Sequence, residues 1–142
     1  MNNDTVKLLR ECSSGIKMGE SAMNKVLAKV KSKELEQSLS VSRNTHSELG
    51  DKTHEMLLAL NADTKPPHPI ARFMSDMKVR MKLMEGGDDK IADVMTDGCD
   101  MGIKFLNKYL NQYKAADKEA KDIAKRLIAS EEYLEASMRR FL

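Results

Sequence analysis

Four long stretches of this chain carry apolar residues at alternating spacings of three and four. That spacing places the apolar side chains on one face of an α-helix. The stretches predict helices over about 5–31, 33–61, 88–113 and 117–141. The residues that can cap their N-termini are Asp4, Ser32, Asp88 and Asp117. The prolines all lie in "KPPHP", which ends the second helix, and a shorter helix is predicted over about 70–85.

The connections between these helices predict how they are arranged. Only a few residues join the first helix to the second, and only a few join the last two, so each pair must form an antiparallel hairpin. The connection between the hairpins is itself helical and long enough to return along most of a bundle. That layout is typical of ferritin-like proteins. We therefore predict an all-α fold, a single ferritin-like four-helix bundle domain over residues 1–142, in which a short helical crossover joins two antiparallel hairpins.

The charge balance and the absence of long apolar runs exclude several functions. Lys and Arg number 24 and Asp and Glu number 22, for a net charge of +2, whereas nucleic-acid binding requires a concentrated basic face. No run approaches the ~18 apolar residues of a membrane span, and the N-terminus does not resemble a signal peptide. We expect a bacterial cytoplasmic protein that binds neither nucleic acid nor membrane, with Cys12 and Cys99 as buried free thiols.

A conventional di-iron centre is not expected in this bundle. Such a centre takes a Glu from each of two helices and a Glu-x-x-His motif from each of the other two. The histidines are His46, His54 and His68. The residues three positions before them are Arg43, Asp51 and Lys65, none of which is Glu. The sequence therefore predicts no cofactor and no catalytic residues.

The two histidines of "NTHSELGDKTHEML" (residues 44–57) differ in their predicted direction. His46 lies on the same helical stripe as Ser42 and Leu49, so it should face the core. Asp51 and His54 are three residues apart and could share a metal ion, but helical phase turns both away from that stripe. We expect these two residues to face solvent.

Glu131 is the acidic residue that could meet His46. It lies between Leu127 and Leu134 on the apolar stripe of the last helix. The two side chains could pair as the remnant of a functional site, or as a buried polar pair that fixes helix register. Glu131 could also pair with Lys or Tyr, or lie at a hydrated edge of the stripe. A metal-binding alternative, with iron, manganese or zinc, would draw irregular ligands from a wider set: His46, Glu20, Asp97, Asp100 and Glu131.

Two further patterns concern packing. The stretch "FMSDMKVRMKLM" places methionines on one face of the 70–85 helix: Met74, Met77, Met81 and Met84. Such a face either packs on the bundle or forms an adaptable groove for a protein partner. Gly98 and Gly102 in "TDGCDMG" are four residues apart on the inner side of their helix, which permits close approach of a neighbouring helix.

The second half of the chain resembles an uncharacterised bacterial family of ferritin-like bundles, the DUF2383 family. The resemblance is carried by "GGDDKIADVMTDGCDMGIKFLNKYLNQY" and "AKRLIASEEYLEASMRRFL", and more loosely by "LLRECSSGIKMGESA" and "SRNTHSELGDKTHEML" in the first half. It implies a closed four-helix bundle with a helical crossover and no established activity. It assigns no functional residue to this chain. At depths where related ferritin-like proteins hold metal ligands, this chain has Thr45, Glu48, Cys99 and Glu135, which do not form a ligand set.

The function expected from the sequence is non-catalytic. We expect a scaffold or interaction protein that associates with itself, most simply as a dimer, and that has no conventional di-iron site. One alternative is a metal-binding oxidase or storage protein with irregular ligands. The other is a module that binds a protein partner through the methionine face.

Overall fold

The computed structural model describes residues 3–63 and 86–142, and the regular elements within them are helical. The long helices are α1 (Asn3–Leu27), α2 (Lys33–Ala59), α3 (Asp88–Gln112) and α4 (Lys118–Met138), followed by a short 3₁₀ helix at Arg139–Phe141. The predicted all-α class with four long helices is confirmed for this part of the chain. None of these helices is long and apolar enough to cross a membrane. The predicted crossover helix over 70–85 and its methionine face lie outside the described residues.

Two of the four predicted N-terminal caps lie where the sequence places them. Ser32 precedes α2, and its hydroxyl accepts a hydrogen bond from the Leu35 backbone N–H at 3.4 Å. Asp117 precedes α4 without a side-chain capping bond, and its own N–H donates to the Thr5 hydroxyl at 2.8 Å. The start of α4 is therefore attached to the start of α1.

The other two predicted caps, Asp4 and Asp88, use their carboxylates to join distant parts of the chain. Asp4 lies within the first turn of α1 and accepts a hydrogen bond from the Ala115 N–H at 3.1 Å. Asp88 is the first residue of α3, and its two oxygens accept from the N–H groups of Lys31 at 2.9 Å and Ser32 at 2.8 Å. The cap predictions were wrong here because both carboxylates accept hydrogen bonds from backbone N–H groups of neighbouring loops. Sequence spacing does not reveal such long-range contacts.

The first helix ends at Leu27, whereas the sequence predicts an end near residue 31. After Leu27 the Lys29 N–H bonds to the Val26 carbonyl at 2.9 Å, which begins a turn. The N–H groups of Lys31 and Ser32 then donate to Asp88 instead of to carbonyls of α1. A long-range acceptor thus replaces the last predicted turn of the helix.

These hydrogen bonds also fix the directions of the helices. The turn after α1 and the start of α3 meet through Asp88 at one end of the bundle, and the start of α1 meets the loop before α4 through Asp4 at the other end. Consequently α2 and α3 run parallel to each other, and α1 and α4 run the opposite way. The described chain stops at Asp63, which pairs with Arg10 at 3.1 Å, and resumes at Gly86 at the opposite end of the bundle.

The buried side chains form two apolar clusters stacked along the bundle axis. One contains Leu9, Ile16, Leu49, Leu106, Ala124 and Leu127, with their neighbours. The other contains Met23, Leu39, Ile91, Met95, Leu134 and Met138, with theirs. Gly19, His46 and Glu131 lie between the two clusters, because each follows residues of one cluster and precedes residues of the other on its own helix. We call this the polar layer.

Candidate functional site

The polar layer contains an imidazole–carboxylate pair. His46 is fully buried, and its Nε2 lies 2.8 Å from Oε1 of Glu131 on α4. Its Nδ1 lies 2.8 Å from the carbonyl oxygen of Ser42. A carbonyl oxygen only accepts, so Nδ1 carries a hydrogen. Two facing lone pairs would repel at 2.8 Å, so a second proton lies between Nε2 and Glu131.

Opposing effects set the pKa of His46. Burial lowers this pKa, because the imidazolium loses its hydration. The hydrogen bond to Glu131, the charge of that carboxylate, the Ser42 carbonyl and the charge of Glu20 all raise it. The raising effects are larger together, so the pKa of His46 lies above its ordinary value. Below that raised pKa the pair is an imidazolium and a carboxylate.

The predicted difference in direction between the two histidines of the 44–57 stretch is confirmed. His46 faces the core, whereas His54 and Asp51 are exposed on the outer side of α2. The helical phase of 100° per residue is sufficient to make this distinction.

Gly19 on α1 provides the space that the imidazole occupies. A Cβ atom added to Gly19 would lie 2.8 Å from Nε2 and 2.9 Å from Cδ2 of His46, closer than side-chain carbons approach. No role for this glycine was predicted from the sequence. A signal was available, because glycine inside a long helix destabilises it and usually has a packing reason.

Cys99 extends the polar layer to α3. Burial, then the charge of Glu131 and a hydrogen bond to it, raise the pKa of the Cys99 thiol far above its ordinary value. The thiol therefore stays neutral and donates to the carboxylate, so it is a poor nucleophile. Burial and the charge of Glu11 likewise raise the pKa of Cys12 to about 12. Both cysteines are free and buried, as predicted.

The structure does not gather the remaining metal-ligand candidates around His46. Glu20 is half-buried on α1 and acts on His46 through its charge. Asp97 and Asp100 are exposed on α3. A hydrogen bond with Asp100 is the largest of the effects that raise the pKa of Glu135 on α4. Within residues 3–63 and 86–142, no three His, Cys, Asp or Glu side chains are grouped so that they could hold a metal ion.

A cleft of about 50 Å³ lies between α1 and α3, beside Glu131. Helix α1 packs mainly on α2, and α3 mainly on α4, so the α1–α3 side is the less filled one. The cleft is lined mostly by glycines and apolar side chains: Gly15, Met18, Gly19, Ala22, Met23, Met95, Gly98, Gly102, Phe105, Leu106, Leu127 and Leu134. Gly98 and Gly102 thus lie on the inner side of their helix, as predicted, where they widen this cleft.

Glu11 is a second carboxyl group that lines the cleft, nearer the start of α1. Glu11 is only 6% exposed, and it forms a hydrogen bond with Tyr109 of α3. Its Oε2 has no hydrogen-bond partner in the described part of the chain. Burial raises the pKa of Glu11, and the bond to Tyr109 opposes this effect. Burial together with the nearby Glu11 raises the pKa of Tyr109 to about 12.

Glu11 was not predicted as a site residue because it lies beside the principal apolar stripe of α1. A second series on the same helix has the same three-and-four spacing: Leu8, Glu11, Gly15, Met18 and Ala22. All but Leu8 line the cleft. A helix with two adjacent stripes buries a wide face. The second stripe of α1 was therefore the sequence signal for the side of the cleft that contains Glu11.

Comparisons with protein-family models, with curated proteins and with solved structures found no match for this chain. The resemblance to the DUF2383 family and the ferritin-like assignment therefore stay predictions.

Proposed function

We propose that this chain is a ferritin-like bundle without a conventional di-iron site, and that it acts non-catalytically as a scaffold or interaction protein in the bacterial cytoplasm. The parallel direction of α2 and α3 supports the ferritin-like connectivity. In a bundle whose successive long helices simply reverse, neighbours in sequence are all antiparallel. A long connection between the second and third helices gives the parallel pair instead.

The main support for this proposal is that both ring nitrogens of His46 already have hydrogen-bond partners inside the protein. Its Nδ1 is used by the Ser42 carbonyl and its Nε2 by Glu131, both at 2.8 Å. A metal ion binds an imidazole nitrogen through its lone pair, so it would have to displace one of these bonds in a fully buried position. The pair therefore fits a structural role, in which it joins α2 to α4 between the two apolar clusters.

Metal binding tests this proposal directly. The protein is incubated with Fe(II), Mn(II) or Zn(II), separated from free ions, and analysed for metal by mass spectrometry. We expect no stoichiometric, tightly bound ion. One bound ion per chain that is lost in both His46→Ala and Glu131→Ala would contradict the proposal. That result would favour the alternative of a metal-dependent oxidase or storage protein with irregular ligands.

An exposed histidine provides the matched control for that experiment. His54 is exposed on the outer side of α2. Binding that is lost in His54→Ala and kept in His46→Ala would come from surface coordination, and it would leave the scaffold proposal intact.

We also propose that the bundle associates with itself as a dimer. Val41 on α2 and Tyr133 on α4 are 44% and 48% exposed, and they supply apolar contact area on two adjacent helices. Sedimentation equilibrium should give a dimer for the unmodified protein and a monomer for Val41→Lys combined with Tyr133→Lys. Ser47→Lys, at an exposed polar position of α2, is the control that should remain dimeric. A monomer at all concentrations would contradict the dimer.

The partner-binding alternative involves residues outside the described part of the chain: Met74, Met77, Met81 and Met84. It predicts that an amphipathic helical partner protects segment 70–85 from amide hydrogen exchange. An unchanged exchange profile in the presence of candidate partners would count against it.

A further inference from the structure

We propose that the cleft between α1 and α3 binds a short primary alkylammonium ion, with its ammonium group on Glu11 and its alkyl chain between the two helices. The cleft borders the His46–Glu131 pair through Glu131, but the anionic group of the proposed site is Glu11, and the site does not depend on the scaffold function. Three observations support it: a buried oxygen of Glu11 without a hydrogen-bond partner in the described residues, an apolar channel that Glu11 also lines, and the size of that channel.

Glu11 is the anionic end of the site. The residue is 6% exposed, Tyr109 is close enough to its carboxyl group to lower its pKa through a hydrogen bond, and Oε2 has no partner in residues 3–63 and 86–142. Burial raises the pKa of Glu11, and the hydrogen bond with Tyr109 lowers it. No cationic side chain of the described residues contributes to this pKa. A buried carboxylate that lacks both a cation and a full set of donors is costly, and an ammonium ion supplies both.

The channel beside Glu11 accepts an unbranched alkyl chain. Its walls are methionine, leucine and alanine side chains, and the glycines at Gly15 on α1 and Gly98 on α3 leave the space between these helices open. The volume of about 50 Å³ corresponds to roughly four water-sized groups. A chain of about three or four carbons fits this volume, and its apolar surface is removed from water.

Other cations fit the site less well. A divalent metal ion requires several oxygen ligands, whereas Glu11 offers one free carboxylate oxygen. A quaternary ammonium ion has no N–H group to donate to Oε2, and it is usually held by a cage of aromatic faces. Glu131 also lines the cleft, but its charge is already paired with the His46 imidazolium at 2.8 Å, which makes it a weaker anionic partner for the ligand than Glu11.

Titration with butylammonium chloride tests the proposal. The full-length protein carries ¹³C-labelled methionine methyl groups, and the signals of Met18, Met23 and Met95, which line the cleft, report binding. Sodium chloride keeps the ionic strength constant. We expect saturable shifts of these signals with a dissociation constant on the order of 1 mM, as is usual for a ligand of so few atoms. Butan-1-ol and tetramethylammonium chloride should bind at least about tenfold more weakly.

Two variants localise the binding. Glu11→Gln keeps the shape of the side chain and removes its charge, so it should weaken butylammonium binding by about tenfold or more. Gly15→Ala places a methyl group in the channel with its nearest neighbour, Leu127, 4.0 Å away, so the fold is kept while the cleft is narrowed. Glu132→Gln, at an exposed position of α4, is the matched control and should leave binding unchanged.

Several results would overturn the proposal. These are the absence of saturable shifts, equal binding of butan-1-ol, equal binding of tetramethylammonium, and undiminished butylammonium binding in either cleft variant. Because Gly15→Ala introduces no clash, loss of binding in that variant cannot be attributed to misfolding when its circular dichroism spectrum matches that of the unmodified protein.

Discussion

Gly19 on α1 and His46 on α2 lie so close together that one carbon atom added to Gly19 would be 2.8 Å from Nε2 of the imidazole. The ring cannot move aside freely, because the Ser42 carbonyl and Glu131 each hold one of its nitrogens at 2.8 Å. The glycine, the ring and the carboxylate therefore form one unit that spans three helices, and a change at Gly19 acts on the whole unit.

Gly19→Ala should lower the free energy of unfolding by about 1–3 kcal/mol, because the added methyl group overpacks the interface and displaces the ring. This loss is net of the higher helix propensity of alanine, worth up to ~1 kcal/mol. Gly15→Ala, four residues earlier on the same helix, has no contact closer than 4.0 Å and should be neutral or stabilising. Urea denaturation measures both. Equal effects of the two substitutions would show that His46 does not constrain Gly19.

Replacing one member of the His46–Glu131 pair should be more damaging than replacing both. His46→Leu or Glu131→Met leaves a buried polar group without its partner, which should cost roughly 2–4 kcal/mol of unfolding free energy. The double replacement removes both polar groups and should recover most of that loss. A double-mutant cycle by urea denaturation measures the coupling. Additive losses would mean that the 2.8 Å contact contributes nothing to stability.

The pair also predicts the sign of a pH dependence. The folded-state pKa of His46 is raised above 6.5, so the native state binds this proton more tightly than the unfolded state does. The resulting stabilisation is complete below that value and is lost as the pH rises through the raised pKa. In Glu131→Gln the carboxylate is absent and burial should dominate, so the pKa of His46 should fall below its unfolded value. That variant should instead lose stability as the pH falls through about 6.5.

Urea denaturation over a range of pH, combined with NMR titration of the His46 ring protons, measures this reversal. His54→Gln is the control, since the exposed His54 lies apart from the pair. The same slope in the unmodified protein and in Glu131→Gln would contradict the assignment of Glu131 as the group that raises the pKa of His46.

Asp88 should contribute to stability through the turn between α1 and α2. Asp88→Ala removes the acceptors of two backbone N–H groups, of Lys31 and Ser32, and should cost about 1–3 kcal/mol. Asp88→Asn keeps one oxygen acceptor and should cost less. Asp89→Ala, at the next position of the same helix turn, controls for the interaction of a carboxylate with the helix dipole. Hydrogen exchange of the Lys31 and Ser32 amides should accelerate in Asp88→Ala only.

Features set by helical periodicity were predictable from the sequence. The inward direction of His46, the outward direction of His54 and the placement of Ser32 before α2 depend on residues within a turn or two of one another. The helical phase drifts near the end of α2: Met56 continues the apolar spacing of Leu49 in the sequence but is only half-buried, whereas Leu57 is buried. Small drifts in phase accumulate along a long helix, so the last turns are placed least well.

Features set by contacts between helices were not predictable. The early end of α1 depends on Asp88, which lies 56 residues beyond Ser32. The role of Gly19 depends on a ring from another helix, and the isolation of Glu11 Oε2 depends on packing against Tyr109. Sequence spacing predicts which residues share one face of a helix. It does not predict which faces of two different helices pack against each other.

The polar contacts between the α1–α2 hairpin and the α3–α4 hairpin have a consequence for assembly. Each hairpin is built from residues close in sequence and can form early, whereas docking brings together residues far apart. The hydrogen bonds made on docking are at both ends of the bundle and in its middle: Asp4–Ala115, Thr5–Asp117, Lys31–Asp88, Ser32–Asp88 and His46–Glu131. A slip of one helical turn, about 5.4 Å, would keep much of the apolar burial but would break every one of these bonds. The two hairpins can therefore make all of these hydrogen bonds in only one docking register.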